Sequence, residues 1–145
     1  MDQYLIKHLE LSHEDANKLH KDYTTDYGLA VKGLARHHKI DPMEFNREVD
    51  DALPLESILF PDPELRRLLD DMDKTKVKLW LFTNAYVTHG KRVVQLLGVD
   101  DLFEGITFCD YNPENMLCKP HHQMFEKAMN QAGSTDPKAC YFVGM

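Results

Sequence analysis

Three polar side chains stand where apolar segments of this sequence give way to loops. Thr83 and Asn84 follow the apolar run 79–82, and Lys119 lies 36 positions after Thr83, just before Pro120. A hydroxyl group backed by the N–H groups of a following helix can hold a phosphate oxygen. A lysine can bring a mobile positive charge to the same anion. We therefore interpret Thr83, Asn84 and Lys119 as candidate phosphate-binding residues.

Each of these residues also has an ordinary structural explanation. Thr83 would cap the following helix or turn, as threonine and asparagine commonly do, and Lys119 would be a solvated surface lysine. The two signals together are more specific than either alone, because each follows a predicted strand, with a helix and a strand between them. Ligands of open α/β sheets bind outside the carboxyl ends of the strands, so both side chains would reach one edge of the sheet.

The elements that must position these residues fall into two parts. Capping signals such as Ser12 before Asp15 and Asp41 before Pro42 predict helices and loops over residues 1–60. From residue 61 onward, a helix begins at the signal 61–64, and strands predicted at 77–83, 106–109 and 139–143 alternate with helices at 89–97 and 120–132. This alternation indicates a parallel sheet. We predict a helical cap lobe over residues 1–60 and a partial α/β core over residues 61–145.

Composition and charge argue against several classes of function. The 145 residues carry a net charge of −7, which argues against nucleic acid as a partner, since phosphate backbones attract clustered lysine and arginine. No run approaches the roughly 18 apolar residues of a membrane span, and no signal peptide is readable. Cys109, Cys118 and Cys140 lack CxxC spacing and the histidines lack ligand spacing, which favours reduced thiols and no metal site among them. We expect a cytoplasmic protein, with the nucleus as a second location.

Two groups of segments in the sequence form a recognisable set. In the core they are Leu79-Trp80-Leu81-Phe82-Thr83-Asn84-Ala85, residues 96–106, Cys109-Asp110-Tyr111 and Cys118-Lys119-Pro120. In the cap they are Leu19-His20, Tyr23, Tyr27-Gly28, Gly33-Leu34, His38 and residues 50–55. Together these segments closely resemble the haloacid dehalogenase (HAD) superfamily, and within it the pyrimidine 5′-nucleotidase-like phosphatases of fungi and plants. The resemblance extends over nearly the whole chain.

This resemblance implies a HAD-like Rossmannoid parallel sheet with an N-terminal helical cap that covers the active site. It also implies Mg²⁺-dependent hydrolysis of nucleoside 5′-monophosphates, such as UMP or CMP, through an aspartyl-phosphate. Thr83 matches the family's phosphate-binding hydroxyl, with Asn84 beside it, and Lys119 matches the lysine that neutralises nucleophile and phosphate. Cap residues select the substrate, so a pyrimidine nucleotide as the small phosphorylated partner rests on resemblance alone.

The sequence departs from the family at two motifs. No apolar strand ending in DxD precedes Leu5, and Asp71-Met72-Asp73 reads as the solvated end of an amphipathic helix. After 141–143 the chain reads Gly144-Met145 where the family has paired aspartates. We therefore expect an incomplete fold truncated at both ends, with three strands left and the central first strand missing. We also expect no complete catalytic set, poor Mg²⁺ binding and no turnover by this chain alone. The alternative is a non-catalytic module that binds a phosphometabolite or a protein.

Overall fold

The architecture is a helical segment followed by a small α/β unit, in a computed structural model that describes residues 1–144. Over these residues the helices are α1 (Asp2–Leu9), α2 (His13–Tyr27), α3 (Ala30–His38), α4 (Pro42–Phe45), α5 (Pro63–Asp70), α6 (Val87–Leu96) and α7 (His122–Ala132). The strands are β1 (Trp80–Phe82) and β2 (Gly105–Thr107). A π-helical turn (Asn46–Asp50) continues α4, and single 3-10 turns lie at Leu55–Ser57, Asp100–Leu102 and Pro137–Ala139. No helix in this part of the chain is both long and apolar enough to cross a membrane.

Side-chain caps begin three of the helices at the positions the sequence predicts. Ser12 Oγ accepts a hydrogen bond from the Asp15 N–H at 3.1 Å and begins α2. Asp41 Oδ1 accepts from the Met43 N–H at 2.7 Å before α4, and Asp62 caps α5 in the same way. Each cap satisfies backbone donors that the first helical turn leaves without a partner. These starts are therefore fixed by local chemistry.

The two strands pair in parallel, with α6 in the connection between them. Trp80 lies opposite Gly105 and Phe82 opposite Thr107. A side chain at Gly105 would collide with the Trp80 ring, so glycine lets the indole lie across the neighbouring strand. Trp80 Nε1 donates to Thr107 Oγ1 at 2.9 Å, which satisfies the indole N–H beside the sheet. The predicted α/β class with a parallel sheet is confirmed.

The third predicted strand, over residues 139–143, does not form, so that expectation was wrong. Ala139 ends a 3-10 turn, and residues 140–144 have no regular secondary structure. Tyr141 and Val143 are 92% and 93% exposed. An apolar segment becomes a strand only where a neighbour pairs with its backbone N–H and C=O groups. The described residues supply no such neighbour for this segment, so its composition alone did not suffice. β1 and β2 are also shorter than predicted.

The main buried cluster joins the helical segment to the loop between β2 and α7. The helices contribute Leu5, Val31, Leu34 and Phe45 among others. The loop contributes Cys109, Tyr111, Met116 and Cys118. This loop (residues 108–121), here called the lysine loop because it carries Lys119, is therefore held in place by apolar packing against α1–α4. The packing therefore fixes the backbone position from which the Lys119 side chain extends.

Candidate phosphate-binding site

Thr83 lies directly after β1, at the carboxyl end of the strand. Its N–H donates to the Thr107 carbonyl at 3.0 Å and so continues the pairing with β2 by one residue. Its Oγ1 accepts a hydrogen bond from the Ala85 N–H at 3.0 Å, which turns the chain toward α6. Threonine therefore plays the turn-forming role that the sequence offered as an alternative. The hydroxyl proton remains able to donate to a ligand, since an oxygen that accepts one bond can still donate.

Lys119 reaches the same strand end from the lysine loop. Its Nζ donates to the Phe82 carbonyl at 3.1 Å, one residue before Thr83. The ammonium also lies 4.9 Å from the centre of the Phe82 ring and 5.1 Å from that of the Phe142 ring, both within the range of cation–π attraction. Partial burial lowers the pKa of Lys119, because a charge removed from water is less stable. No carboxylate pairs with this ammonium among residues 1–144.

Asn84 connects the two halves of the site through its side-chain amide. Oδ1 accepts from the Lys119 N–H at 2.7 Å, and Nδ2 donates to the Lys119 carbonyl at 3.0 Å. Nδ2 also lies 3.3 Å from the carbonyl of Gly28, at the end of α2. The amide therefore ties the lysine loop and the helical segment to the end of β1.

Gly28 allows this close approach. Its φ is 72°, in the left-handed region, and a side chain there would collide with the Lys119 carbonyl and the Pro120 ring. In the sequence, Gly28 is identified only within the cap segment Tyr27-Gly28, because nothing there shows which loop packs against it. The two phenylalanine rings around the ammonium were also missed, since Phe142 was assigned to the strand that does not form.

The structure thus brings the three predicted residues to one edge of the sheet. Asn84 contacts Lys119 directly, and Lys119 contacts the residue that precedes Thr83. The arrangement offers one ammonium group and one hydroxyl group at the end of a strand, and both can donate hydrogen bonds to an oxyanion. Phosphate binding at these residues remains a prediction.

A second polar network joins the π-helical turn and the segment after it to α6. The Arg92 guanidinium donates to the carboxylate of Glu56 at 2.7 Å and to the carbonyls of Asp51 and Leu53 at 3.1 and 2.8 Å. Nearby, burial raises the pKa of Asp50 above its ordinary value, and the Tyr111 hydroxyl donates to its carboxylate at 3.5 Å. These bonds hold the end of the helical segment against the α/β part.

The described residues do not fit a magnesium site. Over residues 1–144, no three His, Cys, Asp or Glu side chains come close enough together to hold a metal ion. Mg²⁺ prefers a cage of hard oxygen ligands, usually with one or two carboxylates, and the surroundings of Thr83 and Lys119 offer a hydroxyl and an ammonium instead. No chemical step through a metal is therefore assigned to these residues.

Comparison with known proteins agrees with the resemblance seen in the motifs. The family model for haloacid dehalogenase-like hydrolases matches residues 1–144. Phosphate metabolism protein 8 of Saccharomyces cerevisiae is 42% identical over 138 residues, and the match covers 90% of this chain and 43% of the yeast protein. The chain therefore spans less than half the length of this curated relative. Together, the match over nearly every residue and the parallel α/β fold show that this chain belongs to the haloacid dehalogenase-like hydrolase family.

Proposed function

We propose that this chain carries the phosphate-binding part of a phosphomonoester hydrolase, with Thr83 and Lys119 as the groups that contact the phosphoryl oxygens. One observation carries the proposal: the Lys119 ammonium lies at the carbonyl of Phe82, immediately before the Thr83 hydroxyl. In an α/β sheet this strand end is where ligands bind. Membership of a hydrolase family and similarity to a protein named for phosphate metabolism support the same class of ligand.

The electrostatics of the site favour an anion. Lys119 is partly removed from water, and the only hydrogen-bond acceptor of its ammonium group among the described residues is the neutral carbonyl of Phe82. A phosphate oxygen would replace that acceptor with a negative charge and so form a stronger, charge-assisted hydrogen bond. Thr83 would donate its hydroxyl proton to a second oxygen. Asn84 acts by holding the lysine loop in place, because both polar atoms of its amide already bond to backbone groups.

The finer assignments follow from family resemblance and are part of the proposal. We propose a small phosphorylated metabolite as the ligand and, more specifically, a pyrimidine nucleotide such as UMP or CMP. Residues 1–60 act as the cap and residues 61–145 as the partial core, whose lysine loop packs against α1–α4. Hydrolases of this family are generally Mg²⁺-dependent, and we propose that these 145 residues alone hold Mg²⁺ poorly. The cytoplasmic location remains a prediction.

A binding role without turnover is the second candidate. It is favoured by the absence of any carboxylate from the hydrogen bonds of Thr83 and Lys119 in the described part of the chain. A phosphoryl group held there would meet donors and a cation but no attacking carboxylate. The two candidate functions involve the same ligand and differ only in whether the phosphate ester is hydrolysed.

The proposal is tested by thermal unfolding with inorganic phosphate or UMP, at ionic strength matched with sodium chloride. A ligand that binds only the folded state raises the melting temperature, so we expect both ligands to raise it. Thr83→Val and Lys119→Met should lose most of this rise, each measured against its own ligand-free melting temperature. Lys138→Ala, at an exposed lysine in the Pro137–Ala139 turn, should keep it. No rise in the wild type, or an equal rise in all four proteins, would overturn the proposal.

A further inference from the structure

Two buried cysteines lie near the two ends of the lysine loop. Cys109 is 0% and Cys118 is 1% exposed, and both belong to the cluster shared with α1–α4. Eight residues separate them, and Cys118 immediately precedes Lys119. The Cys118 thiol donates to the Tyr27 carbonyl at 3.3 Å, at the end of α2. The proposed phosphate site makes no use of either thiol.

The two thiols interact with each other inside this cluster. The contact between the two thiols, together with burial, raises the pKa of Cys109, whereas the same contact lowers the pKa of Cys118. The positive charge of Lys32 lowers the pKa of Cys118 further. Since the thiolate is the reactive form of cysteine, Cys118 is the better nucleophile and Cys109 is the neighbouring thiol that can react with its oxidised form.

We propose that Cys109 and Cys118 form a reversible disulfide that closes the lysine loop at its base when the protein meets a peroxide. The inference rests on the burial of both thiols in one cluster and on their position at the two ends of one loop. Cys140 provides an internal reference, because it is exposed and lies outside this cluster.

The chemistry balances with hydrogen peroxide as the oxidant. The Cys118 thiolate attacks one peroxide oxygen, the O–O bond breaks, and the departing hydroxide takes up a proton to become water. The resulting sulfenic acid is attacked by the sulfur of Cys109. An S–S bond forms, the S–O bond breaks, and the second hydroxide leaves as water with the proton of Cys109. Two thiols and one peroxide thus give one disulfide and two waters.

Burial sets the expected order of events. Both sulfurs are shielded, so the peroxide reaches them when the exposed turn at residues 112–115 opens locally. We therefore expect Cys140 to react with an alkylating reagent well before either loop cysteine does. The disulfide would also remove the Cys118 proton that bonds to Tyr27. If the proposed function is correct, this change displaces Lys119 and weakens phosphate binding.

The test is peptide mapping of the full chain after treatment with hydrogen peroxide and alkylation of the remaining thiols. We expect a cross-linked species that joins the peptides containing Cys109 and Cys118, an intact mass before alkylation that is lower by two hydrogen atoms, and recovery of both thiols on reduction. Cys140→Ser should give the same cross-link, whereas Cys109→Ser and Cys118→Ser should not. The peptide map of the wild-type protein is sufficient for the test, so the result remains decisive even if a variant fails to fold.

Two outcomes would overturn the inference. One is a peptide map in which Cys109 and Cys118 are both recovered in alkylated form, with no cross-link between them, after peroxide has reacted with every accessible thiol. The other is a disulfide found only between chains through Cys140. Peptide mapping does not involve phosphate, so the two proposals can fail separately. If the cross-link forms but phosphate does not raise the melting temperature, the proposed function is wrong and the disulfide is supported.

Discussion

Asn84 shows how a residue can belong to a candidate site by positioning its neighbours. Its amide makes two hydrogen bonds to the backbone of Lys119 and a third to the carbonyl of Gly28. An amide has two donors and two acceptor lone pairs, and here these are directed at backbone groups on two other parts of the chain. At the scale of one residue, the position of Lys119 is therefore determined by a partner 35 positions away.

Replacing Asn84 with alanine should destabilise the fold by about 1–3 kcal/mol, because partly buried backbone groups of Lys119 lose their partners. The matched control is Asn130→Ala, an exposed position on α7, where we expect a change within about 0.5 kcal/mol. Urea unfolding at constant pH measures both free energies of unfolding. Equal effects at the two positions would contradict the bridging role of Asn84.

At the scale of elements, α2 and α3 pack closely because a glycine of α3, Gly33, lies against a tyrosine ring of α2. A Cβ at Gly33 would come 2.5 Å from the Tyr23 ring. The phenol of Tyr23 also bonds to His38 Nε2 at 2.9 Å, so the ring is held at both ends of its contact with α3. Helix propensity alone would favour alanine at this position by about 1 kcal/mol. The glycine is therefore explained by packing between helices.

Gly33→Ala should lower the free energy of unfolding by about 1–3 kcal/mol, since the methyl group forces the Tyr23 ring out of its site. Gly90→Ala on α6 is the matched control. Its added Cβ would meet the end of the flexible Ile106 side chain at 3.0 Å, so we expect a small change of either sign. Chemical denaturation of both variants gives the comparison. A Gly33→Ala protein as stable as the wild type would show that α2 and α3 can separate without loss.

On the scale of the whole molecule, one loop unites the two parts of the chain. The lysine loop contributes four residues to the cluster buried under α1–α4, and the same loop carries Lys119 to the end of β1. The α/β part itself is small, with two strands of three residues each. Several large apolar side chains around it remain exposed, including Phe60, Leu68, Val77, Tyr141 and Val143.

The 145-residue chain should release no phosphate from UMP or CMP in the presence of Mg²⁺ beyond the rate in buffer. Phosphate esters hydrolyse extremely slowly without catalysis, and the described surroundings of Thr83 and Lys119 supply binding groups without a nucleophilic carboxylate or a metal cage. A colorimetric phosphate-release assay measures this. Activity that disappears in Thr83→Ala would show that the chain does turn over, whereas activity that persists in that variant would come from a contaminant.

The sequence by itself determined three helix starts, the family and the three candidate residues, because each depends on side chains that are near one another along the chain or on motifs with fixed spacing. Ser12, Asp41 and Asp62 cap their helices through bonds that span two or three residues. Tertiary structure alone decided which groups meet across the site. The Asn84 bridge to Gly28 and Lys119, and the rings around the ammonium, join residues far apart in sequence. The segment 139–143 remained irregular for the same reason, since a strand depends on a neighbour that local composition does not supply.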